Sequence, residues 1–130
     1  MEQNYDNCFV CGKDNSIGLK MKFSYANNIA QSSFNLSELY EGYDKIIHGG
    51  IIAAILDEAM AKAILFKKIK AVTVNLNVSY KKILKPNHLY IVEGYITTNK
   101  KKTILTQASI FDGNTIYATA TAKFFVLKDS

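Results

Sequence analysis

The most apolar stretch of the sequence runs from Ile51 to Phe66 and contains neither glycine nor proline. It is long enough for about four helical turns, so the pattern predicts an α-helix. Because apolar residues occupy nearly every position, we expect a helix that is buried on all sides rather than an amphipathic one. Its sixteen residues fall short of the roughly 20 that cross a bilayer, so no membrane span is predicted.

Alternating apolar and polar positions predict a sheet around this helix. The clearest alternation indicates a strand with one face on a core, formed by Val72, Val74, Leu76, Val78 and Tyr80. Further strands are predicted at 19–25 and 29–36 before the helix, and at 89–98, 103–111 and 115–127 after it. An antiparallel sheet curling around one helix accounts for this order, so the sequence predicts an α+β fold with a single domain over residues 1–130.

Two carboxylates interrupt the predicted helix, and a buried carboxylate requires a partner. Glu58 precedes Lys62 by four residues, which is the favourable order for an ion pair. We therefore expect Glu58 at an edge of the helix where both charges reach water. Asp57 has no such partner and mostly small side chains surround it, which leaves room for a ligand or for another chain. An internal contact with a hydroxyl or a backbone group is the alternative.

The start of the helix, His48-Gly49-Gly50, lacks the Ser, Thr, Asp or Asn that usually caps a helix. The first backbone N–H groups therefore have no obvious partner within the chain. Glycines allow a ligand close to the backbone, and the helix dipole adds positive potential there. Such a helix end can bind an anion or polarise a carbonyl oxygen. The alternative is a tight turn whose N–H groups meet water.

Composition narrows the classes of protein. Hydrophobic residues make up 48% of the chain and aromatic residues 12%, which is typical of a globular protein. The net charge is +5, but all sixteen basic residues are lysines. Since nucleic-acid readout relies largely on arginine, no nucleic-acid partner is predicted, whereas a polyanionic small ligand is compatible. Residues 1–7 show no basic-then-apolar targeting pattern, so a cytoplasmic location is expected.

The two cysteines, Cys8 and Cys11, form a C-F-V-C-G unit. Two thiols at this spacing provide half of a zinc site, but the chain has no second cysteine pair. The only histidines, His48 and His88, are distant in sequence. We therefore expect reduced, structural cysteines, and neither a metal nor a redox cofactor is predicted.

Three segments resemble the PaaI-like group of acyl-CoA thioesterases, including those similar to the human thioesterase-superfamily-member proteins. They are HGGIIAAILDEAM, TVNLNVSYKKILKP and CFVCGKDNSIGLKMKF, and the likeness covers most of the chain. The resemblance implies a hotdog fold and hydrolysis of an acyl-CoA thioester to the free acid and CoA, without a cofactor. A non-catalytic acyl-CoA-binding or sensor module on the same fold is the alternative. Hotdog hydratases use a different Asp/His arrangement that this sequence lacks.

The resemblance also implies roles for particular residues. Asp57 matches the catalytic carboxylate, either as a general base or as a nucleophile. The backbone N–H of Gly49 matches the group that polarises the thioester carbonyl, with Gly50 assisting. Thr73 matches a threonine that helps to hold the attacking water.

Three further positions have less definite roles. Glu58 fits an acidic-pair pattern of the family and is given a secondary catalytic role. His48 is expected to shape the loop or contact the thioester, unless it is a purely structural histidine. Glu41 stands where relatives often carry Gln or His before a glycine, so no polar helper from this loop is predicted.

The phosphates of CoA require cations, and Lys81, Lys82 and Lys85 follow the central strand closely enough to supply them. The run 100–102, also all lysine, is a second candidate, and a solvated surface is the alternative for both clusters. Several apolar side chains are candidates for an acyl pocket or for the core, namely Tyr40, Tyr43, Met60, Ile64 and Phe66; Tyr43 is the one assigned to substrate binding.

Geometry adds an argument that is independent of the resemblance. Gly49 and Asp57 are eight residues apart, so one helix separates them by roughly 12 Å. A base must lie within about 3 Å of the water that attacks a polarised carbonyl. One helix therefore cannot present both groups to one substrate carbon, whereas two antiparallel copies can. The sequence predicts at least a homodimer, with a tetramer as the larger alternative.

Overall fold

The computed structural model describes residues 5–128, so the first four of residues 1–7, on which the targeting prediction was based, lie outside the described range. Within this range the chain forms one long helix, α1 (Gly49–Leu65), and one turn of 3-10 helix at Glu38–Tyr40. Its six strands are β1 (Ser24–Ala26), β2 (Ile29–Asn35), β3 (Ala71–Tyr80), β4 (Leu89–Lys100), β5 (Thr103–Asp112) and β6 (Thr115–Val126).

All strands pair antiparallel in one sheet with the order β1-β2-β4-β5-β6-β3, and α1 packs across one face. The predicted order of two strands, a helix and four strands is confirmed. Alternate residues of β5 and β6 face the helix and are buried, among them Ile104, Ile110 and Phe124. They meet the helix residues Ile55 and Leu56 in the core.

The helix lies closest to the sheet at β4. A Cβ atom on Gly94 would come within 2.5 Å of the backbone of Ala59. Only glycine allows this approach, so the spacing between helix and sheet is set by Gly94 at the centre of the core.

The strand with the clearest alternation, β3, contains an interruption that the pattern did not predict. The pairing with β6 shifts between Thr73 and Asn75, which leaves Val74 as an extra, bulged residue. Because side chains alternate along a strand, the bulge turns Thr73 toward the helix side while Val72 faces outward. Val72 and Val74 are each 45% exposed. The prediction that Val72 through Tyr80 share one core face is therefore wrong.

The first predicted strand, 19–25, is also wrong over most of its length, since β1 begins only at Ser24. Lys20 adopts a left-handed φ of 54°, which breaks an extended strand. On either side of it, the Leu19 and Met21 N–H groups donate to the Phe9 and Val10 carbonyls. This stretch therefore pairs with the N-terminal loop and not with the sheet.

The helix is enclosed by the sheet and by the N-terminal loop, but it is not buried on all sides as predicted. Along one stripe, Ala53, Asp57 and Ala61 are only half-buried and Gly50 is exposed. We call this stripe the open flank of α1. Beside it runs β3, which is an edge strand of the sheet. No helix in residues 5–128 is long and apolar enough to cross a membrane.

Candidate active site

The start of α1 is capped by His48. The Gly50 N–H donates a 2.9 Å hydrogen bond to the His48 Nδ1 atom, so the prediction that no side chain caps this helix is wrong. In the neutral imidazole the proton then sits on Nε2. The bond occupies the Gly50 N–H, so this group is not free to assist at a substrate carbonyl.

The loop before the helix holds His48 in this position. Glu41 and Ile47 form a β-bridge, and the His48 N–H donates to the Tyr40 carbonyl at 2.9 Å. Gly42 lies against the imidazole, where a Cβ atom would come within 3.4 Å of its Cδ2. The Glu41 carboxylate accepts from the Lys45 N–H at 3.1 Å. Glu41 therefore stabilises the loop itself.

Gly49 presents the remaining N–H group at the helix start. Its carbonyl accepts a 2.7 Å hydrogen bond from the Tyr80 hydroxyl, which ties the helix to the end of β3. Within residues 5–128 no backbone acceptor takes the Gly49 N–H. Sequence reasoning placed Tyr80 on the core face of its strand but gave it no role in the site, because no local pattern shows that the end of β3 lies against the start of α1. A donor at a helix N-terminus can polarise a carbonyl oxygen.

Asp57 and Thr73 meet on the open flank. The Thr73 hydroxyl donates a 2.7 Å hydrogen bond to the Asp57 Oδ1 atom. The bulge at Val74 makes this contact possible, since a regular strand with the predicted core face would point Thr73 away from the helix. The carboxylate keeps a second oxygen for other partners.

Burial raises the pKa of Asp57 above its ordinary value, and the negative charge of the adjacent Glu58 raises it further. The hydrogen bond from Thr73 acts in the opposite direction by stabilising the carboxylate. A carboxylate with a raised pKa is a better proton acceptor than an ordinary one, which is the property required of a general base.

Glu58 points to the other side of the helix, into a half-buried cluster. Its Oε2 atom lies 3.9 Å from the Lys62 Nζ atom and 3.6 Å from the Cys8 sulfur. The predicted pair with Lys62 is confirmed, but Lys62 is buried, so the prediction that both charges reach water is wrong. The Lys62 ammonium lies 3.8 Å from the centre of the Tyr5 ring. Glu58 is thus placed away from the Asp57–Thr73 pair.

The three lysines Lys81, Lys82 and Lys85 are exposed on the loop after β3. This loop lies beside the helix start, because the Ile47 N–H donates to the Leu84 carbonyl at 2.9 Å. Its backbone is fixed as well, since the Lys81 and Lys82 N–H groups both donate to one carbonyl of β6. The structure thus fixes the backbone of a loop that carries three exposed lysines and contacts the segment just before the helix.

The candidate acyl-pocket residues do not lie together. Met60 and Ile64 are fully buried in the core of the chain, and Phe66 stacks on Tyr25 with ring centres 4.9 Å apart. Tyr43 is 85% exposed in the loop before the helix. Tyr40 is half-buried against the core. Among these, Tyr43 is the side chain most available to a ligand.

The sequence profile of the thioesterase superfamily matches residues 44–118, which include the helix start, Asp57 and Thr73. No curated protein matches this sequence.

Solved structures show that the hotdog fold is correctly predicted. The thioesterase superfamily protein RHA08564 superposes with a TM-score of 0.83 at 18% identity, over 90% of this chain and 61% of that one. The present chain therefore spans less than two thirds of the length of RHA08564. The protein smu.793 from Streptococcus mutans UA159, bound to acetyl CoA, gives a TM-score of 0.77 at 18% identity, over 82% of this chain and 88% of that one. The E. coli PaaI protein from the phenylacetic acid degradation operon gives a TM-score of 0.79 at 14% identity, over 85% of this chain and 81% of that one.

Proposed function

Because this chain belongs to the thioesterase superfamily, we propose that it hydrolyses an acyl-CoA thioester to the free acid and CoA. The observation that carries the proposal is the half-buried Asp57 on the open flank, hydrogen-bonded to Thr73 and with a raised pKa. The similar structure of smu.793 is bound to acetyl CoA, which supports a CoA ester as the substrate class.

In the proposed reaction the thioester carbonyl oxygen accepts a hydrogen bond from the Gly49 N–H. Asp57, oriented by the Thr73 hydroxyl, takes a proton from water as the water oxygen attacks the carbonyl carbon. The tetrahedral intermediate then expels the CoA thiolate, which takes up the proton. In the covalent variant, the Asp57 carboxylate attacks first, and water hydrolyses the mixed anhydride.

The proposal requires two copies of the chain, since Gly49 and Asp57 lie roughly 12 Å apart along one helix. The edge strand β3 supports a homodimer in which Asp57 of one protomer faces Gly49 of its partner. It is ten residues long and exposes Val72, Val74 and Tyr80, each by 45% or more. A long exposed edge with apolar side chains is normally covered by another chain.

Contacts to the CoA phosphates are assigned to Lys81, Lys82 and Lys85. Their loop is fixed beside the helix start by hydrogen bonds, whereas the lysines at 100–102 lie at the end of β4 and in the turn that leads to β5. Tyr43, exposed in the loop before the helix, is assigned to the same bound molecule.

Release of free CoA from a panel of acyl-CoAs tests the activity, with the parent protein compared with Asp57→Asn. We expect kcat/KM to fall by about 10²–10⁴-fold, since a general base contributes that much. The exposed Asp14 provides a matched control, and Asp14→Asn should keep the parent rate. Equal rates for the parent and Asp57→Asn would refute the assignment. Binding of acyl-CoA without hydrolysis by the parent would favour a sensor module.

A mixing experiment tests whether the site is shared between two chains. Gly49→Pro removes the N–H donor at a position where helices tolerate proline, and the His48 backbone (φ −59°, ψ 131°) already suits a residue before proline. Gly49→Ala keeps the donor, and its Cβ would lie 3.5 Å from the Tyr80 hydroxyl, an ordinary contact.

Asp57→Asn and Gly49→Pro should each be nearly inactive, whereas Gly49→Ala should remain active. When the two inactive proteins are unfolded, mixed in equal amounts and refolded, half of the dimers are mixed and one of their two sites is intact. Activity should return to about a quarter of the parent value. No recovery, with mixed dimers verified by mass spectrometry, would place both groups of each site on one chain.

A further inference from the structure

We propose that Cys8, Cys11 and Glu58 bind a divalent, thiol-preferring metal ion of the zinc class, which fastens the N-terminal loop to α1. The ligand atoms of the three residues all lie within 4.8 Å of one another. Two of them come from one turn of the N-terminal loop and the third from the middle of the helix. The inference is independent of the proposed hydrolysis, because Glu58 faces away from Asp57.

The distances suit a tetrahedral site. Zinc binds thiolates at about 2.3 Å and carboxylate oxygens at about 2.0–2.2 Å, so neighbouring ligands in a tetrahedron are roughly 3.5 Å apart. The Cys8 sulfur already lies 3.6 Å from the Glu58 Oε2 atom. Only a small adjustment of Cys11 is then needed to complete three corners, and water can provide the fourth.

The backbone of the cysteine turn is built to hold both sulfurs on one side. The Gly12 N–H donates to the Cys8 carbonyl at 2.8 Å, which closes the turn around the two cysteines. A Cβ atom on Gly12 would lie 2.4 Å from both the Cys8 nitrogen and the Asp6 carbonyl oxygen. Any residue other than glycine would open this turn, so Gly12 is part of the site although it supplies no ligand.

The surrounding charges balance such an ion. Two thiolates and the Glu58 carboxylate carry three negative charges, while a divalent ion and the nearby Lys62 ammonium carry three positive ones. Without the ion, the two thiols are neutral and the Glu58–Lys62 pair is also neutral. Binding therefore releases two thiol protons and leaves the half-buried cluster uncharged overall, which avoids the cost of an unpaired charge.

Ligand chemistry selects the kind of ion. Two sulfurs with one carboxylate oxygen favour zinc and related transition metals, whereas magnesium and calcium require oxygen ligands. The site also has a structural consequence. The N-terminal loop contributes Val10 and Met21 to the core, and a shared ion would hold this loop against the helix.

Cobalt provides a direct probe, because it replaces zinc in tetrahedral sites and its thiolate complexes absorb light. The full chain is reduced, treated with a chelator, separated from it and titrated with Co²⁺. We expect one ion per chain, a sulfur-to-cobalt charge-transfer band in the near ultraviolet, and displacement of that band by Zn²⁺. Zn²⁺ should also raise the Tm of the chelated protein.

Three variants define the ligands. Cys8→Ser and Cys11→Ser should each weaken the charge-transfer band, and Glu58→Gln should keep the sulfurs but lower Co²⁺ affinity by at least about tenfold, since even indirect contacts to a metal contribute that much. Glu38→Gln, at an exposed carboxylate of the 3-10 turn, is the matched control and should bind as the parent does. Circular dichroism before titration identifies any variant that has not folded.

Two results would overturn the proposal. One is a folded, reduced parent protein that shows no charge-transfer band and no Tm change with Co²⁺ or Zn²⁺. The other is a folded Cys8→Ser/Cys11→Ser double variant that binds Co²⁺ as tightly as the parent, because the ion would then not be held by the thiolates.

Discussion

Asp57 and Glu58 are adjacent in sequence, yet α1 places them in opposite surroundings. Asp57 lies on the open flank, receives one hydrogen bond from the neutral Thr73 hydroxyl, and has no ion pair within residues 5–128. Glu58 is covered by the N-terminal loop and has the buried Lys62 as a counter-ion. The turn of the helix between consecutive residues, about 100°, accounts for the difference. Asp57, which has no counter-ion among the described residues, is available to accept a proton, whereas Glu58, which is paired with Lys62, stabilises the fold.

Glu58→Gln should produce the largest change in stability. The substitution leaves the Lys62 ammonium buried beside a neutral amide, and breaking one side of a buried ion pair costs about 3 kcal/mol or more. The free energy of unfolding, measured by urea denaturation with a chelator present, should fall by that amount. The chelator ensures that the ion pair is tested without any metal.

The double variant Glu58→Gln/Lys62→Met is the control for this prediction. It removes both charges, so most of the lost stability should return. If Glu58→Gln alone leaves stability unchanged, Lys62 reaches water in solution and the contrast between the two carboxylates is smaller than the structure indicates.

The contrast also shows what the sequence could and could not predict. Periodicity and turn residues were sufficient for the helix, for the order of helix and strands along the chain, and for the Glu58–Lys62 spacing. The surroundings of Glu58 depend on contacts to Tyr5 and Cys8, some fifty residues away in sequence, which no local pattern encodes. The bulge at Val74 was equally hidden, because the alternation of residue types continues through it.

For the site, local reasoning singled out Asp57 and the helix start at Gly49, whereas Thr73 came only from the resemblance. It missed that His48 caps the helix, because histidine is not among the residues usually expected at that position. It also missed the contact of Tyr80 with Gly49, because that contact depends on how the end of β3 meets the start of α1; the bulge explains the position of Thr73. Local chemistry was predictable, whereas the register that brings distant residues together was not.

Thr73→Val should change the pH dependence of the proposed hydrolysis, because Thr73 is the hydrogen-bond partner of Asp57 on the open flank. The Thr73 hydrogen bond lowers the pKa of Asp57, so its loss should raise that pKa further. The acidic limb of kcat/KM, which reports the base of the free enzyme, should move to higher pH. At neutral pH we expect about a tenfold decrease in kcat/KM, as for loss of one hydrogen bond to a charged group. Thr73→Ser keeps the hydroxyl and should leave the limb in place; an unmoved limb in Thr73→Val would contradict the prediction.

Asp57→Asn should stabilise the protein at neutral pH, which is the opposite sign to Glu58→Gln. The pKa of Asp57 is raised in the folded state above its ordinary value of 3.8, so ionisation of this side chain disfavours folding. That cost is fully present above the raised pKa and disappears as the pH falls to below 3.8. We expect a gain of about 0.5–1 kcal/mol, as is common when a functional group is removed.

Urea denaturation of the parent and Asp57→Asn across this pH range measures the effect. The two curves should differ at neutral pH and converge in acid. A gain that persists unchanged in acid would have a cause other than the charge, such as packing of the amide.

His48→Ala should have the smallest effect on stability, and it should leave the properties of both Asp57 and Glu58 unchanged. Loss of the bond from the Gly50 N–H removes an N-terminal cap, for which about 0.5–1 kcal/mol of stability is expected. His48→Asn supplies an amide oxygen as acceptor in place of the imidazole nitrogen and should restore most of that stability. Within one chain the cap lies more than two helical turns from both carboxylates, so the acidic limb of kcat/KM set by Asp57 and the Co²⁺ affinity set by Glu58 should both stay in place. A shift of the limb in His48→Ala would mean that the imidazole interacts with Asp57 of the partner across the shared site, and would make the histidine a participant in the chemistry and not only a cap.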